Sequence, residues 1–266
     1  MSEKVKERVR ELLESGEIKA FLGLSDKYGN TGPHLFFNVG DLNNLVVGDW
    51  KRPGDARYSL NKQLINIARR YPDDVFGVFV RGCDERGLRV LYTWNQLNPE
   101  KVVAVGIACP QELADYCECS QPFPDEFVDG EKSEARSFDC VARIDDLDLT
   151  GRFDLWMKEF SKCIKCYGCR DVCPMCFCNE CSLEDDGLID PGNIPPEMPM
   201  FHLTRAVHMV GRCIDCGLCS EACPADIPLR TLYKKVTNII DDEFTYRPGY
   251  AEEKSPLNIL GGGSEG

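Results

Sequence analysis

One cysteine pattern occurs twice in the C-terminal part of this chain, and it strongly limits what that part can fold into. Three cysteines lie at successive two-residue gaps, and a fourth follows after three residues with a proline directly behind it. The two copies are Cys163-x-x-Cys166-x-x-Cys169-x-x-x-Cys173-Pro174 and Cys213-x-x-Cys216-x-x-Cys219-x-x-x-Cys223-Pro224. This spacing is typical of sequences that bind 4Fe–4S clusters. We therefore predict two such clusters.

The spacing also predicts which thiols share a cluster. In chains with two such runs, the first three cysteines of a run bind one cluster and the fourth binds the other. This rule assigns Cys163, Cys166, Cys169 and Cys223 to cluster 1, and Cys213, Cys216, Cys219 and Cys173 to cluster 2. The alternative is a pair of zinc sites holding a scaffold together. It fits less well, because zinc sequences usually carry two cysteine pairs separated by a longer loop.

Three more cysteines, Cys176, Cys178 and Cys181, follow the first run directly. They can supply most of a further metal centre, of zinc or iron–sulfur type, with Cys140 or a histidine as an additional ligand. The alternative is that they are buried, small hydrophobic residues that line cluster 1. The sequence leaves both interpretations open.

A last group of cysteines lies in the N-terminal part. Cys83 and Cys109 each follow a fully apolar stretch that predicts a buried strand, and Cys117 and Cys119 come soon after. Because the carboxyl ends of adjacent parallel strands meet at one edge of a sheet, these thiols can converge there. Four converging cysteines can bind a third 4Fe–4S cluster, although single cysteines at strand ends are more often packing residues.

Composition and charge bear on the compartment and on partners. Sixteen cysteines in a 266-residue chain, bunched at short gaps, favour metal binding in a reducing, oxygen-poor compartment over disulfides. The charged N-terminus does not resemble a secretory signal, and no apolar stretch is long enough for a membrane span, so we expect a cytoplasmic protein. A net charge of −13 argues against nucleic-acid binding. It suits docking to a basic redox partner, but it is also a common solubility device.

Helices alternate with apolar strands in the N-terminal part, which predicts an α/β domain over residues 1–115. Strands that are apolar on both faces are typical of a parallel sheet with flanking helices. A loop rich in Gly, Asn and Pro is expected between the first strand and Gly40. The predicted strands are Ile18–Leu24, Val75–Val80 and Val102–Ile107, and the predicted helices are residues 3–15, Ser59–Arg70 and Arg86–Asn95.

The character of the chain changes after residue 115. Residues 116–150 are polar and rich in Pro and acidic residues, which predicts a linker that can contribute cluster ligands. Residues 151–240 contain the repeat and predict an α-helical domain, with helices Asp154–Ser161 and Met200–Gly211 preceding the two cysteine runs. Residues 241–266 are expected to be a disordered tail.

Specific stretches of the chain resemble the β subunits of deazaflavin-reducing hydrogenases and formate dehydrogenases (the coenzyme F420 hydrogenase/dehydrogenase β-subunit family). The stretches are Val80–Val90, Asn95–Pro110, Phe153–Cys181 and Phe201–Cys213. The last two are similar to a dicluster ferredoxin branch of that family, whose members accompany heterodisulfide-reductase-like, hydrogenase or formate dehydrogenase subunits. The helix before each cysteine run also resembles the α-helical ferredoxins, in which two helical halves hold the clusters close together.

The resemblance implies an iron–sulfur electron-transfer subunit that relays single electrons between redox partner subunits of an anaerobic oxidoreductase complex. In that branch a paired-cysteine motif follows the strand that corresponds to Val102–Ile107 here, which favours Cys117 and Cys119 as ligands. This chain has Cys-x-Cys where the branch has Cys-x-x-Cys. Family β subunits also bind FAD, although the sequence has no Gly-x-Gly-x-x-Gly fingerprint. The alternative function is therefore a flavin-containing β subunit that itself oxidises or reduces a deazaflavin or nicotinamide.

No catalytic residues are predicted, because no Ser/His/Asp set is legible in the sequence. The three histidines are His34, His202 and His208. His202 and His208 lie six residues apart on a predicted helix and therefore on different faces. We expect them to be packing or surface groups and not ligands or proton relays.

Overall fold

The computed structural model describes residues 3–27, 29–48, 57–137, 139–250 and 255–257, and the chain divides into two compact units. The first unit is Met1–Ser137 and the second is Phe138–Gly266. In the described residues, no helix has the length and apolar character needed to cross a lipid bilayer.

In the described residues, the first unit is built on a mixed sheet of five strands. The strands are β1 (Ala20–Lys27), β2 (Asn30–Phe36), β3 (Leu45–Val46), β4 (Phe76–Val80) and β5 (Val102–Gly106). In space the order is β2-β1-β4-β5, with β3 paired to β1 outside this path. The β1–β4 and β4–β5 pairs are parallel, whereas β2 and β3 run antiparallel to β1.

The prediction of a parallel sheet is correct for the centre of this sheet and wrong for β2 and β3. The segment predicted as a loop forms β2, a hairpin partner of β1 in which Lys27 pairs with Asn30. Only two residues connect them, and so short a connection permits only antiparallel pairing. Gly29 has φ +74, a left-handed conformation that glycine adopts without steric cost. Pro33 is accommodated because β2 is an edge strand.

Among the residues described for this unit, four α-helices accompany the sheet: α1 (Glu3–Glu14), α2 (Leu60–Arg70), α3 (Gly82–Thr93) and α4 (Gln111–Tyr116). All five residues of β4 are buried, as its apolar sequence predicts. The α1 helix buries Val5, Val9 and Leu12, which share one face at helical spacing. The α3 helix begins one turn before the predicted helix, because the Asp84 carboxylate accepts a hydrogen bond from the Arg81 backbone N–H at 3.0 Å and caps its first turn.

The structure differs from the predicted linker at residues 119–137, which belong to the first unit, follow α4 and contact the end of β5. The Val128 N–H donates to the Gly106 carbonyl at 2.9 Å, and the Ala108 N–H donates to the Asp129 carbonyl at 3.0 Å. This close approach requires glycine, since a Cβ on Gly106 would lie 2.1 Å from the Glu126 carbonyl oxygen. Backbone hydrogen bonds, which composition does not reveal, attach the segment to the sheet.

The second unit is helical. Its helices are α5 (Cys140–Asp145), α6 (Leu149–Phe160), α7 (Gly168–Asp171), α8 (Met200–Met209), α9 (Leu218–Glu221) and α10 (Leu229–Phe244). The α6 helix starts before the predicted one, because the Asp148 carboxylate accepts a hydrogen bond from the Gly151 N–H at 2.7 Å. The long α10 packs against α5, α8 and α9.

The structure also differs from the predicted tail at its beginning. The α10 helix continues to Phe244 and ends at Thr245, which has φ +53. Tyr246 is buried, with its hydroxyl group 3.5 Å from the Gly211 carbonyl. This hydrogen bond and the burial of the Tyr246 ring anchor the chain just after the helix. Residues 251–254 and 258–266 of the predicted tail lie outside the described residues.

Candidate metal centres

Two pockets in the second unit are each lined by four cysteines. Pocket 1 is lined by Cys163, Cys166, Cys169 and Cys223, and pocket 2 by Cys173, Cys213, Cys216 and Cys219. Each pocket takes three cysteines from one run and its fourth from the other run. Each cysteine run therefore contributes its fourth cysteine to the pocket of the other run, and neither run lines a four-cysteine pocket by itself.

The backbone of the two runs repeats as the sequence does. Lys165 and Asp215, which precede the second cysteine of each run, both have φ +55. Tyr167 and Gly217, which follow that cysteine, are also left-handed, at φ +59 and +80, and each precedes a short helix. Such turns aim successive N–H groups into a concave, anion-binding surface that is common at iron–sulfur sites. Accordingly, the Lys165 N–H donates to the Cys163 Sγ at 3.4 Å.

Burial of the pocket thiols disfavours their charged form. It raises the pKa of Cys213 to about 12, although a hydrogen bond from the Asp215 backbone N–H acts in the opposite direction. It also raises the pKa of Cys163, Cys169 and Cys219. A thiol that coordinates a metal is deprotonated, because the metal replaces the proton and supplies the balancing positive charge. Buried thiols in groups of four therefore suit metal ligation.

Two buried polar side chains line these pockets without a hydrogen-bond partner in the described part of the chain. Both ring nitrogens of His202 are unpaired at pocket 1, and the Tyr233 hydroxyl group is unpaired at pocket 2. Buried polar groups almost always have a partner, ordered water included, so the Tyr233 hydroxyl group and the one N–H of a neutral His202 ring are available to donate to an acceptor in each pocket. Cluster sulfides and thiolates are such acceptors. The residues of both pockets therefore fit an anionic, sulfur-rich cofactor.

A single metal ion fits less well. Among the residues that the structure describes, no three His, Cys, Asp or Glu side chains are placed to hold one metal ion. Zinc requires its ligand atoms within about 2.0–2.3 Å of one point. Thiols spaced around the wall of a pocket suit a cluster, in which each thiolate binds a different iron.

The additional thiols of the first run have arginine neighbours. The Arg205 Nη1 donates to the Cys176 Sγ at 3.0 Å, and the Arg212 Nη1 lies 3.8 Å from the Sγ of the exposed Cys178. Cys181 has a hydrogen bond with Arg170, and it also packs against a small hydrophobic cluster that includes Phe201. The described residues thus offer no common centre for these three thiols, and the side chain of Cys140 lies outside them. A further metal centre here stays a prediction.

The four N-terminal cysteines lie at one edge of the sheet. Val80 pairs with Gly106 in the parallel β4–β5 register, and Cys83 and Cys109 each follow three residues later. The pKa of Cys109 is raised to about 12, chiefly by burial and also by the nearby Cys119 and Cys117 thiols. Burial likewise raises the pKa of Cys83, and Cys119 again contributes. The fold therefore brings these four thiols within electrostatic range of one another.

Sequence reasoning missed part of the polar surroundings of the pockets. His202 is buried and stacks on Phe160 at 4.5 Å, which agrees with a packing role, but it also lines pocket 1; His208 is exposed. The cysteine motifs also give no indication that Arg205 and Tyr233 lie close to the pocket thiols. Helical spacing is the one signal that could have indicated Arg205. Phe201, Arg205 and Met209 are four residues apart from one another, which places the arginine on the buried face of α8.

Comparisons with known proteins agree with this chemistry. Residues 206–228 match the family described as 4Fe–4S binding domain. The F420-dependent formate dehydrogenase subunit beta of Methanocaldococcus jannaschii is 34% identical over 182 residues, which cover 67% of this chain and 44% of that protein. The F420-dependent formate dehydrogenase 1 subunit beta of Methanococcus maripaludis is 47% identical over 107 residues, 40% of this chain and 27% of that protein.

A third relative is more distant. The Sulfhydrogenase 2 subunit beta of Pyrococcus furiosus is 23% identical over an alignment of 263 residues, which covers 66% of this chain and 78% of that protein. The chain spans less than half the length of the two formate dehydrogenase subunits. The resemblance that the sequence motifs indicate is confirmed by these relatives.

Proposed function

Since this chain is a homologue of formate dehydrogenase and sulfhydrogenase β subunits and contains a 4Fe–4S binding domain, we propose that it is an iron–sulfur electron-transfer subunit. In this proposal it relays single electrons between partner subunits of an anaerobic, cytoplasmic oxidoreductase complex. The partners are of hydrogenase, formate dehydrogenase or heterodisulfide-reductase type. The two clusters supply one-electron chemistry when bound.

The observation that carries this proposal is the exchange of the fourth cysteine between the two pockets. Cys169 lines pocket 1 and Cys173 lines pocket 2, yet they are four residues apart in one run. Even a fully extended chain of four residues spans only about 14 Å. The two clusters are consequently held close together, which favours rapid electron transfer between them.

The protein's own residues bind and shield the clusters in this proposal. Eight thiols coordinate iron in the crossed arrangement, and the left-handed turns at Lys165 and Asp215 direct backbone N–H groups toward the sulfur atoms. Apolar side chains such as Met175 in pocket 2 and Phe201 in pocket 1 limit the access of water. We further propose that Cys83, Cys109, Cys117 and Cys119 bind a third cluster, where electrons enter or leave.

Anaerobic purification with iron, acid-labile sulfide, zinc and flavin quantified together tests the proposal. About eight irons per chain are expected from the two C-terminal clusters, and about twelve if the N-terminal cysteines bind a third. Partner subunits should co-purify from native extracts. Zinc without iron and sulfide would refute the proposal, whereas stoichiometric FAD would favour the alternative function, a β subunit that itself reacts with a deazaflavin or nicotinamide.

A further inference from the structure

Arg205 on α8 is a buried cation for which the described chain offers no carboxylate partner. Only 3% of its surface is exposed. Its Nη2 donates to the Cys169 carbonyl at 2.7 Å, and its Nη1 donates to the Cys176 Sγ at 3.0 Å. The guanidinium group also lies over the Tyr233 ring, 5.5 Å from the centroid. All three of these neighbours are formally neutral while the cysteines are protonated.

A buried guanidinium group is costly unless negative charge lies near it. The groups around Arg205 that can become negative are the Tyr233 phenol, the Cys176 thiol and pocket thiols, among them Cys173 and Cys169. Burial raises the pKa of Cys169 in pocket 1 and of Cys219 in pocket 2, and the positive charge of Arg205 acts against that rise at both. The missing counter-charge of Arg205 is thus supplied when thiolates of both pockets bind iron.

Cys176 connects Arg205 to pocket 2 by hydrogen bonding. A hydrogen bond with Cys176 is the largest cause that raises the pKa of Cys173, which lines pocket 2, and burial is the next. The Cys176 Sγ accepts a hydrogen bond from Arg205, and the raised pKa of Cys173 means that the Cys173 S–H donates to the Cys176 sulfur while both thiols are protonated. When Cys173 is deprotonated by binding iron, the Cys176 S–H becomes the donor to the Cys173 sulfur. This accounts for Cys176 without assigning it to a metal centre.

We propose that Arg205 is a positioning residue shared by both clusters, and that its buried positive charge raises the reduction potential of each. The inference rests on the proposed function. Net charge and hydrogen bonds to cluster sulfurs are established determinants of these potentials. A reduced cluster carries one more negative charge, which a nearby cation stabilises, and low solvent exposure strengthens the attraction. Because one cation serves both pockets, it shifts both potentials in the same direction.

The test uses the full-length, cluster-loaded protein and potentiometric titration followed by electron paramagnetic resonance. Arg205→Met should lower both potentials, so that the ratio of reduced to oxidised cluster at a fixed potential falls at least about tenfold, or about 59 mV for one electron. Arg205→Lys, which keeps the charge, should shift them less. The matched control is Arg212→Met, since Arg212 also approaches a cysteine sulfur and stacks on Phe177 but is not buried.

Unchanged potentials in loaded Arg205→Met, or shifts no larger than those of Arg212→Met, would overturn the inference. If Arg205→Met does not fold or load, Cys176→Ala provides the second test. It should lower the potential of cluster 2 and leave cluster 1 unchanged, and no shift of cluster 2 would count against the inference. A wild-type protein without clusters would defeat the proposed function itself, so the two failures are distinguishable.

Discussion

The substitution Gly106→Ala adds one methyl group and should weaken the attachment of residues 119–130, the segment that follows α4, to the sheet. Gly106 ends β5, and an added Cβ would lie 2.1 Å from the Glu126 carbonyl oxygen and 2.8 Å from the Pro124 Cγ. Cβ atoms essentially never approach other atoms more closely than 3.0 Å. The segment therefore has to move by about 1 Å, which disrupts the 2.9 Å hydrogen bond from Val128 N–H to Gly106.

The magnitude follows from the contacts that are lost. Overpacking in a well-packed region costs about 1–3 kcal/mol, and each hydrogen bond about 0.5–1.5 kcal/mol. We expect local opening to become easier by about 2–4 kcal/mol, which increases amide hydrogen exchange roughly 30- to 1,000-fold. The exchange rates of the Ala108, Cys109 and Val128 amides, which all bond across this junction, measure the effect. If the N-terminal cysteines bind a cluster, the iron content should fall by about four.

Gly32→Ala is the matched control, because Gly32 also lies in a strand of this sheet and a Cβ added there would meet no heavy atom within 4 Å. Its φ is not positive, so alanine is tolerated and exchange at the junction should stay within about threefold of wild type. Equal protection in Gly106→Ala and Gly32→Ala would refute the proposed packing of residues 119–130 on the sheet.

The remaining predictions concern the cluster pockets. Asp215→Asn should raise the potential of cluster 2 and not of cluster 1, because Asp215 lines only pocket 2 and its charge opposes electron addition there; equal shifts would contradict this. Cys173→Ala should disrupt cluster 2, which is the cluster whose potential Asp215→Asn shifts, and Cys223→Ala should disrupt cluster 1. Electron paramagnetic resonance spectra distinguish the two losses. If each variant disrupted the other cluster instead, crossed ligation would be excluded. Burial lowers the pKa of His202 to about 4, so its ring stays neutral at neutral pH. The potential of cluster 1 should therefore not vary between about pH 6 and pH 8, whereas a slope near 59 mV per unit would indicate a titrating imidazole.

Local sequence patterns determined much of this protein. The strands predicted at Val75–Val80 and Val102–Ile107 match β4 and β5 within a residue or two, because uninterrupted apolar runs indicate buried strands. The helix predicted at Ser59–Arg70 matches α2 equally well. The repeated cysteine spacing predicted two thiol quartets, and the structure shows the same left-handed turns in both copies. Short-range backbone geometry suffices for these features.

Other features depended on contacts between residues far apart in sequence. Composition predicted a loop where β2 forms. It also predicted a linker where residues 119–137 form backbone hydrogen bonds with the end of β5. Backbone hydrogen bonds of this kind leave no pattern in the sequence of side chains. Arg205 donates hydrogen bonds to Cys169 and Cys176, which are 36 and 29 positions away in the sequence.

The sequence by itself thus predicted the metal-binding chemistry, since ligand identity and spacing are local properties. Only the tertiary structure decided what surrounds the two cysteine-lined pockets. A buried charge such as Arg205 is tolerated only where distant segments bring compensating groups to it, and helical spacing can place it on a buried face without revealing what it meets there.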